Sequence, residues 1–139
     1  MKLLKIDLEA FKGMADITEE VQKYVEQSPV ASGAVLVFVK GSTGAVTTIE
    51  YEPGLLKDFP EAMDKIAPYG KDYEHHKTWG DDNGSSHVKA SIIGPSLVVP
   101  FVQKRLLLGR WQQIVVINFD TRPRTREVYL MILPTIQED

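Results

Sequence analysis

The stretch AVLVFVKGSTGAVTTIEY, residues 34–51, decides the fold class. Residues 34–40 are almost uninterrupted apolar and β-branched side chains, which predicts a strand buried on both faces. Gly41-Ser42-Thr43-Gly44 breaks the run, and residues 45–51 resume in strand register. Two strands joined by a short glycine-containing loop predict a β-hairpin. Downstream, residues 96–101, 105–108, 111–119 (WQQIVVINF) and 126–133 read as further strands between Gly and Pro turns. Residues 87–93 fit either a strand or a helix.

Upstream, residues 2–8 alternate loosely and predict an edge strand. Asp16 followed three residues later by Glu19 has the spacing of a capping box. Ile17, Val21, Tyr24 and Val25 follow on one helical face, so a helix is predicted over 17–27, ended by Ser28-Pro29. Leu55, Leu56, Phe59, Met63 and Ile66 carry a second amphipathic helix that Pro60 bends or divides. Strands dominate the second half and helices cluster in the first. The class is therefore α+β: a mostly antiparallel, sandwich-like sheet core with two or three flanking helices.

The 139 residues, with no repeat or linker, make residues 1–139 a single domain. Hydrophobic residues are 43% and charged residues 25%, which excludes a disordered or fibrous chain. No cysteine is present, which removes thiolate nucleophiles, iron–sulfur clusters and Cys-ligated zinc. Neither a signal peptide nor a long apolar span is read, so a cytoplasmic protein with no membrane partner is expected. A net charge of −3 argues against nucleic acid as a partner.

Residues 68–86 are polar and long for an irregular loop, which predicts a functional segment. They hold His75 and His76, and His87 follows. On extended backbone adjacent side chains point apart, so only one of the pair shares a site with His87. Two imidazoles and a carboxylate suffice for a divalent metal, and Asp81, Asp82 and Glu50 are the carboxylates at hand. The same histidines also fit a solvated loop. Asp81-Asp82-Asn83-Gly84 reads as a turn and lacks the ligand spacing of a calcium loop.

Arg122, Arg124 and Arg126 alternate, so extended backbone puts all three on one side, where guanidinium forks match phosphate oxygens. The competing reading is a solvated turn beside Asp120 and Glu127. Ser42 and Thr43 offer hydroxyls and backbone amides to an anion, although hairpin turns commonly have this composition. Gln112 could orient a substrate, and its neighbour Trp111 reads as core.

Residues 41–50 (GSTGAVTTIE), 73–94 (YEHHKTWGDDNGSSHVKASIIG) and 109–114 (GRWQQI), followed by Arg124-Thr125-Arg126, together resemble the YjbQ-type family, also called the secondary thiamine-phosphate synthase family. The resemblance spans essentially the whole chain. It implies a compact α+β homotrimer with a histidine-lined site, and a transfer joining a pyrimidine diphosphate to a thiazole phosphate. By position it implies His75 and His87 as holders of a divalent metal (Zn or Mg). Glu50, His87 and Gln112 would be catalytic, and Ser42, Thr43, Arg124 and Arg126 would hold the phosphate of a small anionic substrate. His76 matches no motif position. Gly41 and Ile49 stand where the family has His and Asn. Two other readings share these residues: a non-catalytic homotrimeric module for a small anionic ligand, and a metal-dependent phosphoester hydrolase. Trp79, Phe101 and Trp111 are candidates for either subunit contact or core.

Overall fold

A computed structural model describes residues 1–136. Two antiparallel sheets and four helices build it, one helix more than the sequence suggests. The chain runs β1 (Lys2–Leu8), β2 (Gly13–Asp16), α1 (Thr18–Glu26), β3 (Gly33–Val39), β4 (Gly44–Ile49), α2 (Leu55–Ile66), α3 (Glu74–Trp79), α4 (Gly84–Ile93), β5 (Ser96–Val102), β6 (Arg105–Leu106), β7 (Gln113–Asn118) and β8 (Arg124–Pro134). The first sheet has the order β1-β8-β3-β5-β6 and the second β2-β7-β4. β1 is an edge strand, as its loose alternation predicts.

The expected hairpin of residues 34–51 does not form. β3 has β5 on one side and β8 on the other, so both of its hydrogen-bonding edges are occupied. β4 therefore crosses to the second sheet and pairs with β7. The Gly-Ser-Thr-Gly link becomes a corner between sheets, and Gly41 makes the corner at φ +119°, where a side chain would be strained. β3 also buries only one face: Val35, Val37 and Val39 are fully buried while Phe38 is 40% exposed.

The strand buried on both faces is β7. Ile114 and Val116 face the first sheet in a core shared with Val35, Val37, Val39, Val46, Val128 and Leu130. Val115 and Ile117 face the other way, against Met63 of α2 and Ala90 of α4. α1 packs Val21 and Val25, with its N-cap Ile17, into the inter-sheet core. Its start is only half the expected box. Asp16 accepts the Thr18 N–H at 2.9 Å, but Glu19 pairs with Lys23. The Thr18 hydroxyl in turn accepts the Ile114 N–H at 2.8 Å and ties α1 to β7.

α2 runs unbroken through Pro60. Residues 68–86, read as a loop, contain α3 and the start of α4, and residues 87–93 are helical. Helical hydrogen bonds and the packing of Ala90 against Val115 and Ile117 outweigh a composition rich in Gly, Asp and Ser. No helix among the described residues is long and apolar enough to cross a membrane.

Candidate functional site

The α3–α4 corner exists because the chain can come very close to itself there. A Cβ on Gly84 would lie 2.5 Å from the Cβ of Tyr73, so only glycine lets the first turn of α4 lie against the residue that starts α3. Asp82 takes the positive φ of the turn (+57°), and Asp81 Oδ1 accepts the Asn83 N–H at 3.2 Å. This closure brings His75 over His87, with ring centroids 4.4 Å apart. His76, about 100° further round α3, points elsewhere: its Nδ1 accepts the Asp82 N–H at 3.0 Å.

His75 Nδ1 lies 3.2 Å from Asp81 Oδ1, within ion-pair range on protonation, and no hydrogen bond among the described residues aligns with it. Burial and the positive charge of a protonated His75 lower the pKa of His87, partly opposed by Asp81 and Asp120. His87 is thus biased toward neutral imidazole.

Asp120 bonds the arginine side of the site and reaches His87 through its charge alone. It is 2% exposed; burial alone would raise its pKa. The Thr43 hydroxyl (2.8 Å), the Arg122 N–H (3.1 Å) and Arg124 Nε (3.2 Å) all donate to it. Together with the charge of Arg124 they hold its pKa below the ordinary carboxylate value. Arg126 is 5% exposed. Its Nη2 donates to Thr43 Oγ1 and Asn118 Oδ1, each at 2.6 Å. Its Nε is buried with no partner among the described residues, an uncommon state for a guanidinium N–H. Space for this side chain comes from the corner: a Cβ on Gly41 would sit 2.6 Å from Nη1 and one on Gly44 3.0 Å from Nε.

The sequence candidates thus separate. Thr43 and Arg124 bond Asp120 and Arg126 bonds Thr43 at one end of the β4–β7 ladder, while His87, stacked on His75, is reached by the charge of Asp120. Ser42 is exposed in the corner beside them. Arg122 contributes only backbone, so the three-arginine row reduces to two. Glu50 and Gln112 lie at the other end: Gly44 pairs with Asn118, and Ile49 with Gln113. Six residues of strand put Glu50 about 20 Å from the corner. Gln112 closes its own turn, accepting the Gly109 N–H and donating to Thr48 Oγ1.

Among the described residues no group of three or more His, Asp or Glu side chains is spaced to hold a metal ion. Trp111, read as core, is 64% exposed, and Trp79 is 73% exposed, whereas Phe101 belongs to the core. Asp120 and Asn118 were not singled out by the sequence. One signal points to them: polar residues at the end of the otherwise apolar stretch 114–120.

The family model "UPF0047 protein YjbQ-like" matches residues 2–135. A UPF0047 protein of Archaeoglobus fulgidus is 43% identical over 118 residues, covering 85% of this chain and 89% of the relative. UPF0047 protein YugU of Bacillus subtilis is 32% identical over 134 residues, 96% of this chain and 98% of the relative. Among solved structures, a YjbQ/UPF0047-family protein of Clostridium acetobutylicum superposes with a TM-score of 0.86 at 30% identity, covering 96% of this chain and all of the other. A YbjQ-like protein of unknown function from Sulfolobus solfataricus gives a TM-score of 0.85 at 28% identity, covering 96% and 97%.

Proposed function

The chain belongs to the YjbQ-like UPF0047 family, and from that premise we propose that it binds a small phosphate-bearing molecule where His75 and His87 meet Arg124 and Arg126, and catalyses a thiamine-phosphate-synthase-like transfer. The observation that carries this reading is the buried Arg126, fixed by Thr43 and Asn118 with Nε left to donate. A buried guanidinium, fixed in place with an unused donor, is matched to an oxyanion.

In the transfer, the bond from the pyrimidine methylene carbon to the diphosphate oxygen breaks and the diphosphate keeps the electron pair. The thiazole nitrogen forms the new carbon–nitrogen bond. Negative charge grows on the departing oxygens, and Arg124 and Arg126 stabilise it. His87, biased to its neutral form, donates an N–H hydrogen bond to a diphosphate oxygen and keeps its proton. Glu50 has no part in these steps in its own subunit.

The test is product formation from both substrates, run with Mg²⁺, with Zn²⁺ and with neither. Loss of roughly 10²-fold in rate is expected for Arg126→Met or for the more exposed Arg124→Met. Equal product from wild type, His87→Ala and Arg124→Met overturns the assignment.

The second reading is a non-catalytic anion-binding module. It is favoured by the distance of Glu50, which leaves as carboxylates at the site only Asp81, beside His75, and Asp120, already engaged by Thr43 and Arg124. Stoichiometric pyrophosphate binding without turnover would select it. A homotrimer is proposed in either case, with Trp79 and Trp111 supplying exposed aromatic surface. Light scattering at three times the 15.6 kDa chain mass supports it, and the monomer mass refutes it.

A further inference from the structure

A cavity of about 520 Å³ opens on the outer face of the β2-β7-β4 sheet between α2 and α4. Phe59 and Phe119 form one wall, with ring centroids 6.5 Å apart. Met14, Met63 and Ile117 continue the lining. At the rim, Phe11 and Tyr69 meet edge to face at 5.2 Å. Phe11 holds this position at φ +68°, a strained conformation for a bulky residue, of the kind that collects at ligand clamps. One hydrogen bond fixes it there: the Phe11 N–H donates to the Asp120 carbonyl at 2.6 Å.

The only buried charge in this lining is Lys89, whose side chain is 7% exposed. It donates to Asp64, whose side chain is 62% exposed and faces water. An ammonium has three donors, and Asp64 is the one acceptor found for it among the described residues. Lys12 adds a second positive charge to the lining. With Lys12, Lys89 and Asp64 all charged, the pocket has one positive charge in surplus. Lys89 and His87 both lie on α4, about 200° apart around the helix, so the two side chains leave opposite faces of α4.

We propose that this cavity binds a planar aromatic monocarboxylate. The rings supply flat apolar walls that suit an aromatic body. The two spare Lys89 donors suit one carboxylate, and a single surplus charge balances a monoanion. A phosphate dianion would bring one charge more than these walls neutralise. The proposal stands independently of the activity proposed above.

The test titrates 2-naphthoate, with 2-naphthamide as its neutral analogue, into full-length protein labelled at the methionine methyls. Of the four methionines, Met14 and Met63 are expected to shift saturably with naphthoate, while Met1 and Met131 stay in place. Naphthoate should bind at least tenfold more tightly than the amide. Lys89→Met should bring that ratio close to one while retaining amide binding, and Tyr69→Ala at the rim should weaken both ligands. Overturning results are no shift at Met14 and Met63, equal binding of acid and amide to wild type, or an unchanged ratio in Lys89→Met. Should Lys89→Met fail to fold, the wild-type ratio and the methionine map decide the question.

Discussion

His75 and His87 stack with ring centroids 4.4 Å apart and planes inclined by 39°, which puts His87 beside a second imidazole. Burial and this neighbour lower the pKa of His87 from its ordinary 6.5. As pH falls through 6.5, the unfolded chain therefore takes up its proton before the folded one does, and folded stability drops. The loss continues until pH passes the folded-state value.

Asp120 acts in a separate window. Its folded pKa lies below the ordinary 3.8, so its contribution is complete above that pH and disappears as pH falls further. Urea unfolding at pH 7.5, 6 and 5 should show stability falling with acid in wild type, and His87→Gln should flatten that slope while keeping the acid limb below pH 4. An unchanged slope in His87→Gln would show that this imidazole does not control it.

Asp120→Asn keeps the shape of the side chain and removes the charge that Arg124 and Arg126 face. Thr43 and Arg122 still find an acceptor, but two guanidinium groups lose their counter-charge. The expected cost is about 1–3 kcal/mol in urea unfolding. A loss under 0.5 kcal/mol, roughly what an ordinary surface change costs, would mean that solvent already screens the cluster.

Gly41→Ala tests the corner. The new methyl would stand 2.6 Å from Arg126 Nη1 on backbone at φ +119°. Backbone strain costs about 1–2 kcal/mol, and the guanidinium must move. Pyrophosphate binding, followed by calorimetry, should weaken roughly tenfold or more. Retained affinity would place the anion site away from Arg126.

The sequence carried the α+β class because β7 and β8 announce themselves by apolar runs, and β1 by its alternation. It misread residues 34–51 because strand pairing depends on which edges are free. That β8 and β5 claim both edges of β3 is not written in the GSTG turn. Residues 68–86 were misread for a related reason: the helicity of α4 depends on packing Ala90 against β7, a contact between distant segments. At the site, His75, His87 and the arginines were legible by residue type. Asp120 was not, because it looks like any turn acid until burial at 2% exposure makes it the centre of a network.

Glu50 and Gln112 supply the last prediction, and it runs against the sequence pattern. Both were candidates for catalysis, yet the β4–β7 register places them about 20 Å from Arg126. No side chain spans that distance. If the anion site lies at the His75–Arg126 end of a single subunit, Glu50→Gln and Gln112→Ala should leave pyrophosphate affinity within twofold of wild type. Gln112→Ala should still cost about 1 kcal/mol of stability, because its amide holds the Gly109 N–H and the Thr48 hydroxyl. A tenfold loss of binding in Glu50→Gln would require a second subunit to bring its own Glu50 to this site. Mixing Glu50→Gln with Arg126→Met chains would then restore binding at the interfaces where the two intact residues meet. The two variants thus separate a site contained in one chain from one that neighbouring copies complete.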